Sequence, residues 1–259
     1  MMVLLELFKK TKINVGCATI ERDSAGMLEY EFQIAPKTFL NFSKQDFKTK
    51  DQRGNTNALT NAKRAIDCQT DKILKCFGFP IDKPFPPATN KYIQAISPDL
   101  SKTDIQYKLK LLQVLDLAPA SIIANTRTIR NKLEHYYESF SDSDVENAIQ
   151  LADLFINATD SKLKMVWSYR IEDVNSTDKK CDSCIDVSFD EDEFKIKVSG
   201  FHKGEHTEIE YTFRDIEFYP LLKLTYSFHY PQDLEDYFME LMQIINHPIP
   251  PENIHLENI

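Results

Sequence analysis

The feature that most limits what this chain can become is a change of hydrophobic period near Met165. Before it, apolar residues recur at helical spacing. After it they alternate: Met165, Trp167, Tyr169 and Ile171, then Ile185, Val187 and Phe189, then Phe194, Ile196 and Val198, then Ile209, Tyr211 and Phe213. A period of 3.6 lays one stripe along a helix and a period of 2 lays one face on a strand, so the two stretches need different packing. The expectation is an α+β chain: an antiparallel helical bundle, an antiparallel β-meander, and a last helix from Pro231 with Leu234, Phe238, Leu241 and Ile245 on one face.

The N-terminal region alternates too. Lys12 to Ile20 and Leu28 to Ile34 flank a turn-like stretch, Asp23 to Gly26, which reads as a β-hairpin. An isolated hairpin is marginal in water, so the meander's free edge is its natural partner. The chain then divides into three segments: 1–50, a hairpin and a short helix (Thr38 to Lys48) packed on the C-terminal sheet; 51–160, the bundle; 161–259, the meander and C-terminal helix. Within the bundle, Asn57 to Phe77 and Ile105 to Leu115 read as helices. Ser143 and Glu146 have capping-box spacing ahead of Val145, Ile149, Ala152 and Ile156. Gly78 to Ser101, rich in proline, reads as a long surface connection with a helical turn near Tyr92.

Composition narrows the function classes. No apolar run approaches the roughly 18 residues of a membrane span. The opening MMVLLELFKK places its charges after the apolar part, the reverse of a secretory signal. Five cysteines without dense spacing point to reduced thiols and a cytoplasmic setting, with no membrane partner. Only six glycines, and no G-x-S-x-G or H-E-x-x-H, leave nucleotide and serine hydrolysis poorly supported. A net charge of −9 counts against a general nucleic-acid binder unless positive potential is local.

The stretch from Ala118 to Phe140, APASIIANTRTIRNKLEHYYESF, supplies such a locality. Pro119 suits a first helical turn, and no glycine or further proline interrupts the chain as far as Phe140. Ile122, Ile129, Leu133, Tyr136 and Phe140 fall within about 60° on a helical wheel and form a core stripe. Arg127, Arg130, Asn131, Glu134 and His135 take the other side. Asn131 and His135 are i,i+4 neighbours, close enough for the amide to orient the imidazole. Arg130 and His135 diverge by roughly 140° and 7.5 Å, so one helix aims them poorly at one atom. Two copies across a two-fold axis bring both pairs into one cleft, which predicts a homodimer through the 118–140 helix.

Arg130, four residues, His135, one residue and Tyr137, with Asn131 after the arginine, resembles the R-x4-H-x-Y signature of HEPN domains. Demanding all three residues cuts the chance expectation to below about 0.01. The resemblance extends over roughly Asn55 to Asp160. It implies an all-helical bundle and, as in many HEPN proteins of toxin–antitoxin, abortive-infection and CRISPR-linked systems, a metal-independent ribonuclease of toxin or phage-defence type with no cofactor. On that implication Arg130, Asn131 and His135 are catalytic, while Arg127, Lys132 and Tyr137 contact RNA. Tyr137 also matches the tyrosine that a nucleotidyltransferase antitoxin modifies with AMP in some such toxins. The other expectation is a bundle kept as a binding module, whose β-rich part recognises a partner. Separately, Cys181, Cys184, His202 and His206 have spacing that invites zinc: a register in which paired positions sum to about 383 sets Cys181 opposite His202.

Overall fold

A computed structural model describes residues 3–119, 141–173, 183–227 and 231–258. The protein is α+β and divides into two compact units. The first comprises Met1–Leu28, Phe85–Ile96 and Lys164–Ile259; the second comprises Glu29–Pro84 and Ser97–Leu163. These bounds differ from three consecutive segments. Residues 29–50 belong with the helices, and 85–96 with the sheet.

The first unit is built on a six-stranded sheet in the order β5-β4-β3-β2-β1-β6. Its strands are β1 (Ala18–Gly26), β2 (Val166–Asp173), β3 (Ser183–Asp190), β4 (Lys195–His202), β5 (Glu205–Tyr211) and β6 (Leu256–Asn258). The four meander strands fall where the alternation places them. The N-terminal hairpin does not form: β1 runs straight through Asp23 to Gly26, pairs antiparallel with β2, and bulges between Arg22 and Ala25. Residues 28–34 hold no strand. Their alternation has another cause in the second unit, where Tyr30 and Phe32 meet ring to ring at 4.9 Å and Lys75 lies over Tyr30. β6 pairs parallel with β1 at Ala18 to Ile20.

One face of this sheet is covered by α1 (Leu4–Thr11) and α8 (Phe218–Tyr226). α1 buries Leu4, Leu7 and Phe8 against β3 and β4. Gly200 lets it approach, since a Cβ there would sit 2.4 Å from Leu7 Cδ1. α8 is buried along its whole length, as a helix apolar all round must be. The Tyr169 hydroxyl donates to the Leu221 carbonyl at 3.4 Å, tying β2 to α8. α9 (Pro231–Ile244) packs on α8 and β6, and α4 (Pro87–Ile96) completes the unit. Here the surface connection read from the prolines is corrected: Tyr92 is fully buried and stacks on Tyr219, centroids 4.7 Å apart and planes at 17°.

In the second unit the described elements are all helical: α2 (Pro36–Phe47), α3 (Gln52–Cys76), α5 (Pro98–Ser101), α6 (Tyr107–Val114) and α7 (Asp142–Leu163). α3 begins earlier than its apolar stripe because Asp51 caps it, accepting from the Gly54 N–H at 2.6 Å. α7 likewise starts ahead of the Ser143–Glu146 box. Ser141 N–H and Oγ donate to Asp144 Oδ2 at 2.9 and 2.8 Å, and the Asp144 N–H donates back to Ser141 Oγ at 3.2 Å. Lys44 reaches Asp153 and Lys37 reaches Asp160, so α2 runs antiparallel to α7. Asn55 bonds Asp142 and Gln69 bonds Thr159, so α3 runs parallel to it.

Candidate functional site

Arg127, Arg130, Asn131, Lys132, His135 and Tyr137 lie outside the described residues, as does the chain from 120 to 140. The chain leaves α6 through Leu115 and Asp116, the latter in a left-handed conformation with φ 51°, and Leu117 and Ala118 are buried. The Asp116 carbonyl accepts from Lys162 Nζ, near the C-terminal end of α7. The described chain resumes at Ser141, the N-cap of that same helix. The two anchors thus stand near opposite ends of a 22-residue helix, which at 1.5 Å per residue is roughly 33 Å long.

Several cations of this unit are paired with carboxylates. Asp160 receives Lys72 at 2.9 Å, Lys37 at 3.1 Å and Gln69 Nε2 at 3.0 Å. Partial burial pushes its carboxyl up, but the bonds from Lys72, Gln69 and Lys37 outweigh that and hold it below the usual range. Lys63 sits 2.6 Å from Asp67 one turn on. Lys108 meets Asp71 at 2.6 Å, and Lys110 donates to the Ser101 and Thr103 carbonyls at 3.0 and 2.6 Å. Arg64 is exposed. Cys68 and Cys76 are poor nucleophiles here, because burial drives both thiols up to about 11.

The zinc set does not assemble among the described residues. The β3–β4 register pairs Ser183 with His202 and Cys184 with Phe201, two residues displaced from the register expected for Cys181. Cys181 lies outside the described residues. Since successive side chains of a strand point to opposite faces, Cys184 and His202 are on opposite sides of the sheet. His206, paired with Phe201 and with its ring tilted against it at 4.7 Å, shares the Cys184 side. His202 Nδ1 instead meets Ser183 Oγ at 2.6 Å.

The sheet unit holds a polar cluster that the sequence did not flag. Lys223 of α8, 2 % exposed, places Nζ 2.7 Å from Glu240 Oε2 of α9, itself 11 % exposed. The Tyr92 hydroxyl of α4 donates to Glu240 Oε1, the Tyr237 ring lies 4.2 Å from Lys223 Nζ, and Thr89 and Tyr219 share a hydrogen bond of 2.6 Å. The one signal was a lone lysine inside the apolar run FYPLLKLTY, since a lysine is rarely buried without a partner. Its arrangement is that of a cross-brace between three helices. No known protein family, no curated protein and no solved structure matches the chain.

Proposed function

We propose that the protein is a metal-independent endoribonuclease of HEPN type, acting as a homodimer through the 118–140 segment, with RNA as substrate and a toxin or phage-defence role. The observation that carries the reading is Arg130, Asn131, His135 and Tyr137 in register within one stretch of a unit whose described elements are all helical. The anchors of that stretch, near the two ends of α7, agree with it, because a helix of about twenty residues spans roughly 30 Å. RNA carries its own nucleophile, the 2′-OH, so the protein need only remove that proton, stabilise the pentacoordinate phosphate and protonate the departing 5′ oxygen. His135 serves as base or acid, the role for which imidazole is the side chain most often used. Arg130 sets its fork of donors against the non-bridging oxygens. Asn131 orients the imidazole, and Arg127, Lys132 and Tyr137 hold the strand.

Incubating the full chain with RNA in EDTA tests this. Cleavage is expected to leave 2′,3′-cyclic phosphate ends, His135→Ala to abolish it, and Arg130→Ala to raise the barrier by about 3 kcal/mol. Light scattering at micromolar concentration should return a dimer. No cleavage, or equal cleavage with both residues replaced, overturns the reading. The second reading, a binding module, is favoured by the pairing of Lys37, Lys44, Lys63, Lys72 and Lys108 with carboxylates, which offsets five of the cations that a phosphate backbone would otherwise meet.

A further inference from the structure

β5 is the last strand of the sheet on the side away from β6, and its backbone is open along that side. Its one strand partner is β4, with which all seven of its residues pair in unbroken register. No other backbone hydrogen bond among the described residues reaches Glu205–Tyr211. The turn between the two strands decides which groups point outward. His202 pairs with Glu205 across Lys203 and Gly204, whose φ values of 48° and 83° are those of a type I′ turn, closed by a hydrogen bond between its two end residues. An antiparallel ladder alternates, so Glu205, Thr207, Ile209 and Tyr211 direct their main-chain groups at β4. His206, Glu208 and Glu210 direct theirs away from it, and all three residues are exposed.

The two faces of this edge differ, because successive side chains of a strand alternate between them. On one face stand Thr207, Ile209 and Tyr211; the last two are buried, and Thr207 Oγ1 accepts from Lys10 of α1 at 3.0 Å. On the other stand His206, Glu208 and Glu210. Glu210 lies 2.6 Å from Lys195, a cation it shares with Glu193, and Glu205 at the start of the strand lies 3.1 Å from Lys10. Glu208, between them, holds no ion pair among the described residues. The edge therefore carries an excess of negative charge. Edges are commonly shielded by a bulge, a proline or a lysine. β5 has none of these, and its glutamates leave the main chain open to a segment of opposite charge.

We propose that the β5 edge is a strand-addition site for an extended segment of a partner protein in which lysine or arginine alternates with aliphatic residues. Main-chain hydrogen bonds to His206, Glu208 and Glu210 supply affinity. Selectivity comes from the two faces: cationic side chains lie beside Glu208 and Glu210, and aliphatic ones continue the row of Ile209 and Tyr211. The surface lies wholly within the sheet unit and does not depend on RNA cleavage.

The test titrates the full chain, at physiological salt, with a ten-residue peptide of alternating lysine and valine, followed by calorimetry and by amide exchange. Saturable binding is expected, with exchange slowed at His206, Glu208 and Glu210, whose amides face outward, and little changed at Thr207, Ile209 and Tyr211, which are bonded to β4 already. A glutamate–valine peptide, and a lysine–valine peptide interrupted by proline, should bind at least about tenfold more weakly. Glu208→Gln removes only the charge, whereas Glu208→Pro also removes the central outward N–H and leaves the β4 ladder intact. The proline variant should bind at least about tenfold more weakly than the glutamine variant. Absence of saturation, exchange slowed elsewhere or nowhere, equal binding of the proline-interrupted peptide, or equal binding by the two variants overturns the proposal. So does protection of the same three amides that grows with protein concentration in the absence of peptide, which would make a second copy of the chain the occupant.

Discussion

At the residue scale, two carboxylates carry more than their share. Glu240 neutralises Lys223 in the interior of the sheet unit, at 2.7 Å and nearly out of water. Glu240→Ala strands a buried ammonium, and such losses cost about 3–5 kcal/mol. The double variant Lys223→Met with Glu240→Leu should lose far less, because it removes both desolvation costs together. Urea unfolding followed through Trp167 fluorescence checks this, and a double variant as unstable as the single one would show that the charge pair is not what matters. Asp160 works by a different balance. Its pKa is lowered in the folded chain by Lys72, Gln69 and Lys37 against the opposing effect of burial. Its contribution is therefore present above the unfolded carboxyl's pKa, near 3.9, and is lost as pH falls through the lower folded value. Far-UV circular dichroism during urea unfolding should separate wild type from Asp160→Asn at pH 7, and the gap should close as the solution is acidified below pH 4.

Elements show which sequence signals survive folding. The meander was legible because a half-buried antiparallel sheet imposes strict alternation on every strand. α8 was not, since a helix buried on all sides has no polar face to give it a period. β1 was cut short by its own exposure: Asp23, Ser24 and Gly26 look like a turn, and they are polar and small because that half of the strand is a bulged edge facing water. Proline misled at 85–96, where Pro87 starts α4 instead of breaking a helix. Arg130, Asn131, His135 and Tyr137 were legible as a motif, and they lie outside the described residues. A glycine marks another element-level constraint. Gly54 sits in the first turn of α3, where a Cβ would fall 1.8 Å from Thr49 Oγ1 and 2.5 Å from the Asp46 carbonyl. Helix propensity alone favours alanine there by about 1 kcal/mol. The clash with backbone must prevail, so Gly54→Ala should destabilise by about 1–3 kcal/mol in thermal or urea unfolding. A stabilised variant would mean that the α2–α3 turn yields more easily than its contacts imply.

At the scale of the whole molecule, the sheet unit is assembled from three separated pieces of chain, and the middle piece is a single helix. β1 lies between β2 and β6, so without it β6 has no neighbour and Ala18, Thr19 and Ile20 leave the core. α1 contributes Leu4, Leu7 and Phe8 to the cover of β3 and β4, and α4 contributes Tyr92 and Thr89 to the brace around Tyr219 and Glu240. Each fully buried large side chain is worth about 1.5–3 kcal/mol relative to exposure. A domain's net stability is only about 5–15 kcal/mol, so losing both pieces exceeds what the remainder can spare. A fragment of Lys164–Ile259 should therefore fail to fold on its own, with Trp167 emission already red-shifted and no cooperative urea transition. Joining Met1–Leu28, Phe85–Ile96 and Lys164–Ile259 through flexible linkers should restore a cooperative transition. If the fragment alone unfolds at the midpoint of the full chain, α1, β1 and α4 are accessory to the sheet, and the three-piece assembly is not what holds it.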